Sequence, residues 1–277
     1  MNLDEIRAAQ EASWNRFSPG WRKWDHVTME FLAPHGEAIL AHLRPQGAIT
    51  VLDVAAGTGE PGLSIARRLD GGRVVLTDLA DGMLQVAKDK VATHGVTNVE
   101  FHHADACELP FADATFDAVS CRLGFMFFPD MAKAAAEMTR VLKPGGRFAT
   151  TVWGPPDANF WVTCMMQNIG RHIAVPPPEP GAPGMFRCAP EGLVADLLRA
   201  AGLRDVVESE VPCRLKCSSP EGYWQMMTEV AAPFVAALRS ADADTVARVR
   251  ADVIAAVGAR HADGTIDARG RAIVGVR

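Results

Sequence analysis

The chain has 277 residues, 48% of them hydrophobic and 22% charged, with a formal net charge of −5. That is enough to bury one substantial core, and the composition is that of a folded protein. A negative balance without a lysine and arginine run excludes the electrostatic footprint of a nucleic-acid or anionic-membrane binder, so the expected partner is a small molecule.

The six cysteines (Cys107, Cys121, Cys164, Cys188, Cys213 and Cys217) include no CxxC pair. The opening MNLDEIRAAQEASW has neither the basic nor the apolar region of a secretory leader. A reduced, cytoplasmic setting is therefore expected, with no structural zinc and no membrane span.

In chain order, residues 3 to 44 read as helical pieces broken at SPGW and carrying Trp14, Phe17, Trp21 and Trp24, an aromatic density that needs something to cover. From residue 49 the pattern alternates: ITVLDV, a helix over about 60 to 69, RVVLTD, a helix over about 81 to 93, NVEFHHAD, FDAVSC, a helix near 130 to 141, and GRFATTVW. Strand and helix alternation at this spacing predicts an α/β doubly wound sheet covered on both faces. LKPGG, with Pro144 before two glycines, is read as the turn into the next strand.

Residues 154 to 190, with the break VPPPEPGAPG, read as an irregular inserted surface or lid segment. APEGLVADLLRAAGL restores a helix, RDVVESEV a half-buried strand, 220 to 259 is helical, and RAIVGVR closes as a short strand. The last two strands are expected to pair antiparallel at the sheet edge, with the helical insertion above the ligand side. The expected organisation is one domain over 1–277: an N-terminal helical cap at 1–45, a cofactor-binding core at 46–153, and lid or substrate-recognition insertions at 154–190 and 214–265.

The chemistry starts at VLDVAAGTGEPG, residues 51 to 62. Gly57, Gly59 and Gly62 form a literal GxGxxG, and Asp78 follows Gly57 by 21 residues, the sketch of a nicotinamide-binding turn. Yet the glycine does not follow the strand directly, because Asp53, Val54, Ala55 and Ala56 intervene. An acid at the strand end repels a pyrophosphate but suits a cationic ligand. The tyrosine-and-lysine pair of single-domain reductases is also missing, since the only tyrosine, Tyr223, is followed by WQMM.

The loop and the strand ends after it resemble the class I S-adenosylmethionine-dependent methyltransferases, in the branch that includes the ubiquinone and menaquinone C-methyltransferases. The resemblance runs from residue 50 to about 153 and implies a Rossmann-like seven-stranded sheet, mostly parallel with an antiparallel last strand. The family's DxGxGxG appears as Asp53, Ala55, Gly57, Thr58 and Gly59, with alanine in the first glycine place, which is tolerable where its φ is negative.

The resemblance further implies that Asp53 and the glycine loop meet the methionine part of S-adenosylmethionine and that Asp78 accepts the ribose hydroxyls. It places Leu79 and Met83 against the adenine, Asp105 and the amide of Ala106 at its edge, and Arg122 and Leu123 along the cofactor. The product would be S-adenosylhomocysteine.

In-line methyl transfer needs mainly proximity and orientation, so no catalytic side chain is obligatory. If a base is used, His26 and His172 are the candidates. The loop CRLGFMFF lacks both the (Asn/Asp)ProPro(Tyr/Phe) run of enzymes acting on amino groups of nucleobases or glutamine and the carboxylates of metal-dependent ones, so no metal is expected. Trp24, Phe127, Trp153, Phe186, Trp224 and Met227 are expected among the pocket residues, which predicts an apolar or aromatic acceptor methylated on O, N or C. A nicotinamide-dependent oxidoreductase, or an adenosylmethionine-binding protein without catalysis, is the alternative. Oligomeric state is not legible.

Overall fold

The computed structural model describes residues 2–176, 179, 181–261 and 263–277. Met1, Ala262 and three prolines of the VPPPEPGAPG break, Pro177, Pro178 and Pro180, lie outside the described residues.

Two long helices come first, α1 (Leu3–Lys23) and α2 (Asp25–Leu43). The SPGW stretch does not break α1, contrary to the sequence expectation. Ser18 turns its hydroxyl back to the carbonyl of Asn15 at 2.9 Å. Gly20, for its part, admits the backbone of a later helix: a Cβ there would lie 1.9 Å from the carbonyl oxygen of Glu229. Docking holds the helix through its proline.

The strands are β1 (Thr50–Val54), β2 (Arg73–Asp78), β3 (Val99–His103), β4 (Phe116–Arg122), β5 (Leu142–Trp153), β6 (Arg204–Lys216) and β7 (Thr265–Val276). Between them lie α3 (Gly62–Ala66), α4 (Asp81–His94), α5 (Met131–Val141), α6 (Phe160–His172), α7 (Leu193–Ala200), α8 (Pro220–Val230), α9 (Ala232–Arg239) and α10 (Ala243–Arg260). The sheet order is β3-β2-β1-β4-β5-β7-β6, with β7 antiparallel to both neighbours and the other observed pairs parallel. The order reverses between β1 and β4, and the crevice outside their carboxyl ends is where such sheets bind ligands.

Both faces are covered, as the continuous buried runs of β1 and β2 require. Ile39, Leu40 and Leu43 of α2 share one core with Leu63 and Ile65 of α3 and Ala87 of α4, while Met138 of α5 and Leu198 of α7 belong to the other.

Three elements differ from the sequence reading. KPGG is a bulge within β5, because Leu142 already pairs with Phe116 before the register resumes at Ala118 and Arg147. The edge pair is longer than its apolar text, with β7 continuing to Thr265 opposite Lys216. And the irregular segment contains a regular helix, α6, whose buried face is Trp161, Cys164, Met165, Asn168 and Ile169. No helix among the described residues is long and apolar enough to cross a membrane.

Candidate cofactor and acceptor site

Asp53, one residue before the end of β1, is fully buried. Its Oδ2 accepts from the N–H of Gly62 at 3.0 Å and its Oδ1 from the hydroxyl of Ser120 at 2.7 Å. Burial pushes its pKa up to about 7, against the pull of Ser120, Arg122 and Gly62. The sequence reading gave this carboxylate to a ligand ammonium. In the structure it first joins the start of α3 to β4, so only its remaining lone pairs are left for a ligand.

The turn after β1 needs three consecutive odd positions in the left-handed region: Ala55 at φ 53°, Gly57 at 56° and Gly59 at 102°. Glycine adopts this at no steric cost, alanine does not. The expectation of a negative φ at Ala55 is therefore corrected. Thr58, at the tip, is 2% exposed, and its hydroxyl has no partner among the described residues.

Asp78 closes the turn from the next strand. Its Oδ2 accepts from the N–H of Gly57 at 2.8 Å and its Oδ1 from that of Ala80 at 2.9 Å. Burial raises its pKa from the ordinary carboxylate value, and the amides of Ala80, Gly57 and Leu79 work against that rise. Leu79 is partly buried, and Met83 is buried with its methyl over Gly57.

Asp105 lies just past β3. Its Oδ1 accepts from the N–H of Cys107 at 2.9 Å, and its Oδ2 pairs with Nε of Arg7 at 2.5 Å. Ala106 beside it is buried. Arg7 belongs to α1, which lies along this edge. Farther along α1, Glu11 approaches His103 at 3.7 Å, and the side chain of Asn15 accepts from the N–H of Gly82 at 2.8 Å. Trp14 meets Phe127 edge to face at 5.1 Å.

Arg122 ends β4, with Leu123 following at φ 60°. Its NH2 reaches Sδ of Met29 on α2 at 3.7 Å.

The residues expected to line an acceptor pocket occupy separate places. Phe127 faces α1. Trp24 caps α2 and donates to Glu229 at 2.7 Å. Trp153 is buried in a cluster with Phe31, Trp161 and His35 at centroid distances of 5.4, 4.8 and 4.9 Å. Phe186 and Trp224 are partly buried, and Met227 is fully enclosed in α8. Two open clefts, of about 420 and 510 Å³, lie elsewhere, beside Glu30 and Arg214 and beside Arg44 and Lys143.

Neither histidine candidate joins this edge. His26 is exposed in the first turn of α2, and His172 pairs with Asp252 at 2.8 Å, joining α6 to α10. Sequence reasoning passed over His35, which is fully buried with both ring nitrogens unpartnered among the described residues and its pKa lowered by burial to about 3. Its signal was helical spacing: Thr28, Phe31, Leu32, His35 and Ile39 share the buried side of α2. Arg7 gave no comparable signal.

Residues 51–146 match the family model of the methyltransferase domain. A demethylmenaquinone methyltransferase of Deinococcus radiodurans is 32% identical over 169 residues, 56% of this chain and 67% of that protein. The chain belongs to the class I S-adenosylmethionine-dependent methyltransferases. A ubiquinone/menaquinone biosynthesis C-methyltransferase of Marinomonas is 43% identical over 112 residues, 40% of this chain and 45% of the relative. The chain spans about half the length of most of the curated relatives it matches. Among solved structures, the YcgJ protein of Bacillus subtilis shares the fold, with a TM-score of 0.59 at 20% identity over 88% of this chain and 98% of that one.

The methyltransferase turn fits its family's cofactor on the structure's own terms. The buried hydroxyl of Thr58 has no partner among the described residues, and a desolvated hydroxyl is stable when a ligand completes it. Asp78 retains lone pairs beyond the two amides it accepts, and Met83 and Leu79 offer apolar surface beside it.

Proposed function

We propose that the chain transfers a methyl group from S-adenosylmethionine to a small acceptor. The observation that carries this reading is the bond from Gly57 to Asp78, which binds the left-handed turn after β1 to the acid at the end of β2. Amide and carboxylate thereby share one rim of the crevice. In this reading Asp78 holds the ribose, and Met83 and Leu79 flank the adenine. Asp105 and the amide of Ala106 meet the adenine edge, and Thr58 with the glycine amides holds the methionine part.

The cofactor supplies an electrophilic methyl on a sulfonium. The chain's task is to fix the acceptor in line and to exclude water. α1 suits the second role, because Arg7, Trp14 and Asn15 seat it on the crevice edge. Phe127, on the loop after β4 and against Trp14 of α1, favours an acceptor with an apolar or aromatic body. Support for a quinol-like acceptor comes from the relatives named above. The cap at 1–45 and the insertions at 154–190 and 214–265 are proposed as the acceptor-enclosing parts.

The test is transfer of labelled methyl from S-adenosylmethionine to a panel of phenols, naphthols, amines and carboxylic acids. Label appearing in one class supports the reading. No transfer to any member, with the cofactor bound, would favour a binding protein without catalysis.

A further inference from the structure

Arg122 has the chemistry of an anion-binding group. It is partly buried at the end of β4, and loss of water lowers its pKa from the ordinary arginine value, although Asp53, Glu60 and Asp25 oppose that. It stays charged all the same, since a guanidinium does not lose its proton in proteins. Its side-chain hydrogen bond among the described residues goes to the thioether of Met29, a weak acceptor for a group with five donors.

The three acids near it are engaged elsewhere. Asp53 accepts from Ser120 and Gly62. Glu60 accepts from the N–H of Ser64 at 3.0 Å and pairs with Arg67 at 3.3 Å. Asp25 pairs with Lys90 at 2.9 Å. A partly buried guanidinium whose one protein acceptor among the described residues is a thioether keeps strong donors for a ligand anion, and a charge-assisted bond to one is favourable.

Position narrows the anion. The guanidinium reaches Met29 on α2 and feels the charges of Asp53, Glu60 and Asp25, with neither Asp78 nor Asp105 among them. A sulfonium placed in the same crevice would be repelled by a bare guanidinium, and an anionic oxygen between the two cations satisfies both. We propose that Arg122 binds the ionised oxygen of the acceptor, so that the chain selects acidic phenols or enols over amines. This rests on the methyltransferase reading above.

The step balances without a base in the chain. The acceptor enters as its anion and gives an electron pair to the methyl carbon. A C–O bond forms, or a C–C bond through a conjugated carbon, while the C–S bond breaks and leaves its pair on a neutral thioether. After attack through carbon, the displaced ring proton passes to water.

The test uses the full chain saturated with S-adenosylhomocysteine and two probes of like shape, 4-nitrophenol, whose anion absorbs visible light, and 4-nitroaniline. The phenolate should bind at least about tenfold more tightly than the aniline, with the phenol's apparent pKa lowered by about one unit on binding. Arg122→Met should abolish both effects.

Equal binding of the two probes with an unshifted phenol overturns the proposal from the wild-type protein alone, whatever the variant does. Loss of S-adenosylhomocysteine affinity in Arg122→Met, with the phenolate preference intact, would assign Arg122 to the cofactor carboxylate instead. If the wild-type protein does not bind S-adenosylhomocysteine at all, the methyltransferase reading falls first and this proposal with it.

Discussion

Asp78 accepts a hydrogen bond from the N–H of Gly57 at 2.8 Å, and this one contact joins the acid at the end of β2 to the turn that follows β1. Asp78→Ala removes the expected ribose acceptor and also leaves the amides of Gly57 and Ala80 without their partner. Affinity for S-adenosylhomocysteine, measured by calorimetry, should fall by roughly 2 to 3 kcal/mol, and urea unfolding should show a loss of about 1 to 3 kcal/mol as well. Unchanged affinity would mean that the ribose is held elsewhere.

Ala55 stores strain that glycine would release. An alanine in the left-handed region costs about 1 to 2 kcal/mol, and glycine gives back roughly 0.5 to 1 kcal/mol through a freer unfolded chain. Ala55→Gly should raise the unfolding free energy by about 0.5 to 1 kcal/mol. A destabilised variant would show that the methyl group's packing outweighs the strain.

Two buried groups give stability opposite pH dependences. Asp53 holds its proton more readily in the folded chain, with a pKa of about 7, so its contribution is full below pH 3.8 and is lost as pH rises to about 7. His35 resists protonation, with a pKa of about 3, so its contribution is full above pH 6.5 and is lost as pH falls toward 3. Each is on the order of 4 kcal/mol, and between about pH 4 and 6.5 they offset one another. Asp53→Asn leaves His35 unopposed, and its unfolding free energy should climb steeply over that range. A flat profile in the variant would contradict the assignment of His35.

Arg7 holds α1 against Asp105. Arg7→Gln should speed tryptic cleavage at Arg16 and Arg22 and raise the association rate of S-adenosylhomocysteine severalfold in stopped flow, because the acid and the crevice edge are then freer. Slower association would make Arg7 part of the binding surface instead of a latch.

Asp53 and Asp78 were legible because a carboxylate at the end of a buried run has few structural reasons to be there, whereas Asp105 follows the largely exposed strand VEFHH and was legible only through the family pattern. The conformation of Ala55 was not legible, since the φ of one residue depends on how the turn closes on Thr77 and Asp78. Prolines on either side hid α6, whose apolar face is plain once Trp161, Met165 and Ile169 are seen together. α1 was the largest gap: its docking is tertiary, made by Arg7, Trp14 and Asn15 against residues far along the chain, and no local pattern announces it. His35 was visible only as one polar position on an apolar helix side.

Calorimetric titration of the full chain decides whether the crevice holds S-adenosylmethionine and not a nicotinamide. Saturable binding of S-adenosylmethionine and S-adenosylhomocysteine, with no heat from NADH or NADPH, is the predicted result. Tight nicotinamide binding without an adenosylmethionine signal would contradict it.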